Sequence, residues 1–407
     1  MNKTVLLFLI CLYSQLSFGQ TEIKTMFYNV LNFSSAPPRE RVDILNSILA
    51  TYEPDLFMVS EVESEADAQN ILDYSFHYTT ENIVQAPFLA NPGAYINQTL
   101  YYNADIFKLI STFQIETNYR NINHYSFELN TSSKIAFEVF VAHFKASGGE
   151  INENERLYEA QQFIDYIGSF PSNTNILLAG DFNMYSSSEP AYQTLLNGTT
   201  KLDMQDPISS SGDWNNNTDF AGIHTQSTRL SNSDFEDYGA GGGLDDRFDI
   251  MLISDAISTD INSMSYIQDS YKAWGNNGNC FNDNINSVDC GGTYTQELRE
   301  WLYAMSDHLP VVMSLNVKED LLSTAGFTAE QPVRLTGGNL VNDRLDLRFS
   351  PEYISEKVSI FNPLGQEVSS FDVSSLEIAL DVSALSIGMY YIKVGQIPHT
   401  LKFYISR

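Results

Sequence analysis

Ile176-Leu177-Leu178-Ala179 runs without a break into Gly180-Asp181-Phe182-Asn183. Four apolar residues of this kind, bounded by glycine and polar residues, read as a buried β-strand. The strand stops on an acid and an amide two positions apart. The same arrangement recurs. Leu56-Phe57-Met58-Val59 ends at Ser60-Glu61, after a stretch in which Val42, Leu45, Ile48, Leu49 and Tyr52 recur at helical spacing and Pro54 closes the helix. Phe137 to Ala142, apolar apart from Glu138, runs into His143. Asp246-Arg247-Phe248-Asp249 precedes Ile250-Met251-Leu252-Ile253, and Ser306-Asp307-His308 precedes Leu309-Pro310-Val311-Val312. A strand end holds a side chain on a rigid support at the rim of a sheet, where a substrate can reach it. Glu, His, Asp and Asn gathered at five such ends are the types that hard-cation binding and general acid–base chemistry require.

Length and composition set the frame. The chain has 407 residues, which favours two domains over one core. Hydrophobic residues make up 43% and charged residues 18%, so a disordered or collagen-like chain is excluded. A boundary is expected across residues 319–332, where an apolar strand gives way to a polar, turn-like stretch. Beyond it, over 333–407, short alternating strands such as Lys357-Val358-Ser359-Ile360-Phe361 and Met389-Tyr390-Tyr391-Ile392-Lys393-Val394 flank the turn Asn362-Pro363-Leu364-Gly365, which indicates a small all-β module. Residues 20–332 carry 14 basic and 43 acidic residues and so hold the whole net charge of −29. A basic nucleic-acid coat protein and a polybasic membrane binder are therefore unlike this chain.

At the N-terminus Lys3, the apolar run from Val5 to Leu12 and the small residues of Ser17-Phe18-Gly19 read as a secretory signal peptide over residues 1–19, with Gln20 as the expected mature start. No stretch is long enough to span a bilayer, so stable membrane insertion is not expected. After cleavage two cysteines remain, Cys280 and Cys290, and an exported chain favours their pairing in one disulfide.

Six motifs occur in a particular order: Tyr28-Asn29-Val30, Asp55 to Glu61, Ala142-His143-Phe144-Lys145, Gly180-Asp181-Phe182-Asn183, Leu244-Asp245-Asp246-Arg247-Phe248-Asp249 and Ser306-Asp307-His308-Leu309-Pro310. Together they resemble the endonuclease/exonuclease/phosphatase family of DNase I-like, metal-dependent phosphodiesterases, across roughly residues 20–318. The resemblance implies a four-layer α/β sandwich, two packed mixed β-sheets flanked by helices. It also implies roles. Glu61, with Asn29 beside it, matches the principal Mg²⁺-binding carboxylate, and Mn²⁺ or Ca²⁺ are the alternative ions. Asp307 matches a carboxylate at or near the metal. Asp181 matches the residue that orients the attacking water, and Asn183 its partner in holding the phosphate. His308 matches a histidine at the scissile phosphate, oriented by Asp249, and His143 the second histidine of the DNase-like branch. Related secreted chains often read Asn-Val-Glu-Asn after the first strand. Here Leu31 replaces the acid, which leaves that contact to Asn29 with help from Asn32.

The chemistry is consistent with these roles. A phosphodiester resists attack because its anionic oxygens repel a nucleophile. A cation neutralises that charge, amides and imidazoles donate to the oxygens that gain charge, and a carboxylate positions and deprotonates water. Lys145 and Arg247 adjoin motif residues and are candidate phosphate clamps; each is equally read as a solvated charge or a fold-holding ion pair. Arg156 is a weaker candidate of the same kind.

The last module resembles the type IX secretion sorting domain, on Ile360-Phe361-Asn362-Pro363-Leu364-Gly365-Gln366, the strand pattern from Leu380 to Val394, and the basic end at Lys402 and Arg407. That implies outer-membrane secretion machinery as a partner and a secreted or cell-surface location. The expected activity is a secreted phosphodiesterase acting on DNA or RNA, as a monomer. The alternatives are a sphingomyelinase-like or small-phosphodiester hydrolase, for which the loop Tyr271-Lys272-Ala273-Trp274-Gly275 is a candidate source of an exposed aromatic although Trp274 is equally read as a core residue, and a non-catalytic surface adhesin. The acidic surface opposes binding of a polyanion.

Overall fold

The computed structural model describes residues 21–321, except Glu40, Thr80, Thr199, Thr200, Ile261, Asn262 and Asp320, and residues 333–406, except 336–339, 350–352 and 396–399. The expected signal peptide and most of the expected linker lie outside the described residues. The chain divides into two compact units, residues 1–322 and 323–407.

In the larger unit the strands are β1 (Thr21–Phe33), β2 (Leu56–Val62), β3 (Ile83–Gln85), β4 (Asn97–Asn103), β5 (Phe107–Ile115), β6 (Ile122–Leu129), β7 (Ala136–His143), β8 (Ile176–Asp181), β9 (Met204–Gln205), β10 (Asp249–Ser254), β11 (Met264–Tyr266), β12 (Lys272–Ala273) and β13 (Val311–Val317). The helices are α1 (Arg41–Tyr52), α2 (Glu65–Ser75), α3 (Glu150–Ile167), α4 (Pro190–Asn197), α5 (Asp255–Ser258) and α6 (Gln296–Met305). One sheet runs β11-β13-β1-β2-β4-β3, with β12 also on β13. The other runs β5-β6-β7-β8-β10-β9. Both are mixed: β1 and β2 are parallel, as are β7 and β8, and their outer neighbours are antiparallel.

Side-chain alternation along these strands builds four layers. Phe27, Met58, Leu100 and Met313 of the first sheet meet Tyr125, Phe137, Val139, Leu177 and Met251 of the second in one core between the sheets. The neighbouring positions face outward. Met26, Tyr28, Phe57 and Val59 pack on Leu45, Ile48, Leu49, Leu302 and Met305 of α1 and α6. Phe140, Leu178, Ile250 and Leu252 pack on Phe163, Ile164 and Leu195 of α3 and α4. The expected helix–sheet–sheet–helix sandwich is therefore present. Strands buried on both faces explain the unbroken apolar runs of the sequence.

The expected pairing of Cys280 and Cys290 is present as a disulfide. Trp274 is not a free aromatic. Its Nε1 donates to Thr51 Oγ1 at 3.0 Å, and its ring packs on Tyr52 and Tyr294. No helix among the described residues is long and apolar enough to cross a membrane.

The smaller unit is all-β. A three-stranded sheet joins Val333–Leu335, Arg344–Phe349 and Glu377–Asp381. A five-stranded sheet joins Leu340–Val341, Thr400–Ile405, Gly388–Val394, Lys357–Phe361 and Glu367–Asp372. Leu345, Leu347, Val358, Ile360, Ile392, Val394 and Phe403 form its own core. Asn362-Pro363-Leu364-Gly365 is the hairpin turn, with Gly365 at φ +77°, where a side chain would be strained.

Candidate active site

Strand register assembles the site. His143 of β7 pairs with Asp181 of β8, and Asp181 pairs with Asp249 of β10, so three of the expected residues lie in one row across the second sheet. On the first sheet Asn29 of β1 lies opposite Ser60 of β2, next to Glu61. Glu61, His143 and Asp181 lie at or next to the last residues of β2, β7 and β8, and Asp249 opens β10, as the sequence suggested. At Glu61 the pairing of β2 with β4 is broken by a register shift, and Glu61 itself sits at φ +65°. A bulge of this kind re-aims a side chain. Asn183 also occupies the left-handed region, at φ +52°. Two non-glycine residues held in that region at one rim fit a constraint imposed by function.

Asn29 ties the two sheets together. Its Nδ2 donates to Glu61 Oε1 at 2.9 Å and to Asp181 Oδ2 at 3.0 Å, and it lies 3.5 Å from His308 Nε2. Asn32 contributes through its backbone, donating from N–H to Glu61 Oε2 at 2.9 Å. Asp181 Oδ1 accepts from the amide side chain of Asn183 at 2.9 Å, and Oδ2 lies 3.5 Å from His143 Nε2 and 3.7 Å from His308 Nε2. Asp249 Oδ2 holds His308 Nδ1 at 2.7 Å. Asp307 Oδ2 accepts from the Ala240 N–H at 2.6 Å.

The electrostatics follow from burial. Desolvation lifts the Asp181 carboxyl to about 7; the carboxylates of Asp249 and Glu61 add to the rise, and His308 opposes it. Burial, then the Asp307 charge, raises Glu61. For His308 burial alone favours the neutral ring, but the carboxylates of Asp249, Asp181 and Asp307 outweigh it and hold the imidazole well above its usual range. His143 moves the other way: burial comes first, then the cations of Arg120 and His308, and the ring stays neutral.

The donor set fits a hard divalent cation. Ligand atoms of Glu61, His143 and Asp181 lie within 4.8 Å of one another, as do those of Asp181, Asp249 and His308. Oδ1 of Asp307 and Oδ1 of Asp249 are buried without a hydrogen-bond partner. Unpartnered carboxylate oxygens inside an acidic cluster lower their free energy by taking a cation, and oxygen-rich sets favour Mg²⁺, Mn²⁺ or Ca²⁺.

Of the three candidate phosphate contacts, Arg247 and Arg156 are committed to the fold. Arg247 is fully buried, and its guanidinium grips Asp206 with two hydrogen bonds of 2.8 and 3.0 Å. It is a fold-holding ion pair, because a guanidinium committed in this way offers nothing to a substrate. Arg156 is likewise buried, bonded to Glu189 and to the carbonyls of Lys145 and Ser147. Lys145 stands nearer the site. Its Nζ donates to the Ala146 carbonyl and lies 5.6 Å from the centre of the Tyr119 ring.

Three residues at the site escaped the sequence reading. Gln226 Nε2 lies 2.7 Å from His308 Nε2 and 3.3 Å from Asp307 Oδ2, bridging two of the expected residues. Arg41 donates to the carbonyls of Val30, Leu31 and Met305 and so shapes the chain just after Asn29. Arg120 donates to the carbonyls of His143 and Phe144. Gln226 and Arg120 lie in loops with no periodicity. Gly239, at φ +81°, brings the loop after Gln226 against Asp307: a Cβ there would stand 2.8 Å from the Asp307 carboxyl carbon. Only that glycine hinted at the close approach.

Solved structures share this architecture. TDP2 of D. rerio, complexed with single strand DNA product, is similar over 73% of this chain and 100% of its own, with 15% identity and a TM-score of 0.50. An endonuclease/exonuclease/phosphatase family protein from Bacteroides thetaiotaomicron aligns over 75% of this chain and 100% of its own, with 14% identity and a TM-score of 0.47. The human Nocturnin catalytic domain with bound sulfate anion aligns over 73% and 97%, with 14% identity and a TM-score of 0.45. The larger unit thus has the DNase I-like fold. Residues 339–403 match the secretion system C-terminal sorting domain. No curated protein sequence matches the chain.

Proposed function

We propose that the chain is an exported, divalent-metal-dependent phosphodiester hydrolase acting on nucleic acid outside the cell. The observation that carries this reading is the convergence of Glu61, His143, Asp181, Asp249 and His308, with Asn183 bonded to Asp181 and Asp307 beside them through Gln226, at strand ends and adjoining loops of both sheets. Glu61 and Asp307, with Asn29 beside them, would hold Mg²⁺, with Mn²⁺ or Ca²⁺ as alternatives; when bound, the ion offsets the negative charge of the phosphate.

The other residues divide the remaining work. Asp181, lifted to about 7, can orient a water and accept its proton near neutral pH. Asn183 donates through its amide, and His143, kept neutral, through an N–H, to oxygens that gain charge. Asp249 fixes His308 through Nδ1, which directs Nε2 toward the phosphate. The adhesin alternative gives no reason for a buried acid cluster whose desolvation works against folding. The sphingomyelinase-like alternative loses Trp274 to packing.

The test is an assay of the purified mature chain with Mg²⁺, Mn²⁺ or Ca²⁺ on plasmid DNA, RNA, sphingomyelin and bis-p-nitrophenyl phosphate. Nucleic acid and the small diester should be cleaved, and chelation should stop both. Failure to cleave any phosphodiester with any of the three ions overturns the proposal.

A further inference from the structure

The rim on the His143 side carries a second set of side chains, held in place by the fold, that the hydrolytic roles above do not use. Tyr119 is 50% exposed, although it lies in a loop fixed from beneath. Asn91 Oδ1 accepts from the Asn121 N–H at 2.9 Å, and Gln98 Nε2 donates to the Asn121 carbonyl at 3.1 Å. Arg120, the next residue, donates to the carbonyls of His143 and Phe144 at 2.8 and 2.5 Å. This anchors the loop on the end of β7. Lys145 follows His143 by two positions and sits beside the Tyr119 ring. Tyr185 follows Asn183 by two positions. Its ring packs edge-on against Phe248 at 5.1 Å and is flanked by Gly148, where a Cβ would stand 3.7 Å away. The 145–149 stretch therefore runs from Tyr119 to Tyr185 beside Asn183. The Tyr119 ring, kept rigid and half in water, adds little to a core; Tyr185 is partly buried, with the Arg156 guanidinium 5.8 Å from its ring centre. The exposed ring suits a flat partner.

We propose that Tyr119 and Tyr185, with Lys145 between them, form a platform on which unpaired bases of a single-stranded nucleic acid stack next to the scissile phosphate. The proposal rests on the hydrolase reading and names its substrate class.

Charge supports stacking as the source of affinity. Of the 14 cations in residues 20–332, five are the buried arginines Arg41, Arg156, Arg229, Arg247 and Arg299, bonded to carbonyls or carboxylates. The surface that remains is strongly acidic and can neutralise few phosphates. Stacking on a ring needs no charge, and Lys145 supplies one phosphate contact where the strand passes, while Arg120 is committed to the carbonyls of His143 and Phe144. A duplex cannot use the platform, because its bases are already stacked on each other.

The test titrates the full-length protein in chelator with a labelled single strand of about 12 nucleotides, the same strand without bases, the duplex, and vesicles of phosphatidylcholine and sphingomyelin. The normal strand should bind about tenfold or more tighter than the abasic strand or the duplex. Its log–log salt slope should be about −0.7, the value for one phosphate. Tyr119→Ala and Tyr185→Ala should each weaken binding about tenfold, and Tyr119→Phe, which keeps the ring, should bind like the natural chain. With metal present, the ratio of KM on the oligonucleotide to KM on bis-p-nitrophenyl phosphate should rise by a similar factor in Tyr119→Ala. Equal binding of abasic and normal strands, or full affinity in a folded Tyr119→Ala, overturns the platform. Vesicle binding that depends on Tyr119 overturns it in favour of lipid. Hydrolysis of the small diester without base-dependent binding overturns the platform and leaves the hydrolase reading. Base-dependent binding without any hydrolysis does the reverse.

Discussion

Glu61 combines a left-handed backbone, a bulged strand and a carboxylate bonded through both oxygens, to Asn29 and to the Asn32 N–H. Each feature fixes the direction of one charge. Glu61→Gln keeps the shape and an acceptor for Asn29 but removes the charge that binds a cation. It should leave the circular dichroism spectrum intact, raise the Mg²⁺ concentration needed for half-maximal rate, and cut activity by orders of magnitude. Unchanged activity at limiting Mg²⁺ sinks the metal assignment. Asp249 and His308 form the second unit, joined at 2.7 Å. Asp249→Asn and His308→Ala should cost similar amounts in kcat, and the double variant little more than either alone, because residues acting as one unit do not sum. Multiplying losses in the double variant would show that the pair does not act together.

Among the elements, the strands were legible because burial on both faces leaves long apolar runs, and each run stops where side chains leave the core. Ile176 to Asp181 and Phe137 to His143 show this directly. The bulge at Glu61 was not legible, since it depends on register with a strand 40 residues away in the chain. Gln226 reaches His308 across 82 positions, a contact no local pattern encodes. Arg247 was grouped with the site by its place two residues before Asp249. Proximity in the chain is not proximity in space, and its guanidinium instead joins the loop at Asp206 to the start of β10. Arg247→Ala strands the buried Asp206 charge. It should lower stability by about 3–5 kcal/mol in urea unfolding. Unchanged stability with a raised KM would restore it as a substrate clamp.

For the whole molecule, two units and two tasks are expected to coincide. Every candidate catalytic residue lies before residue 318, the charge excess is confined to residues 20–332, and each unit has its own hydrophobic core. Residues 339–403 match a secretion sorting domain, which gives the smaller unit a task of its own. A chain ending near residue 325 retains β1 through β13 and the complete acid cluster. It should fold and hydrolyse a small phosphodiester at the full rate. In its native host the shortened chain should stop in the periplasm, because the sorting signal is gone. Fractionation with activity measured in periplasm and medium checks both halves. Normal secretion of the shortened chain would remove the sorting role. A large fall in the purified enzyme's rate would mean that the smaller unit contributes to the active site.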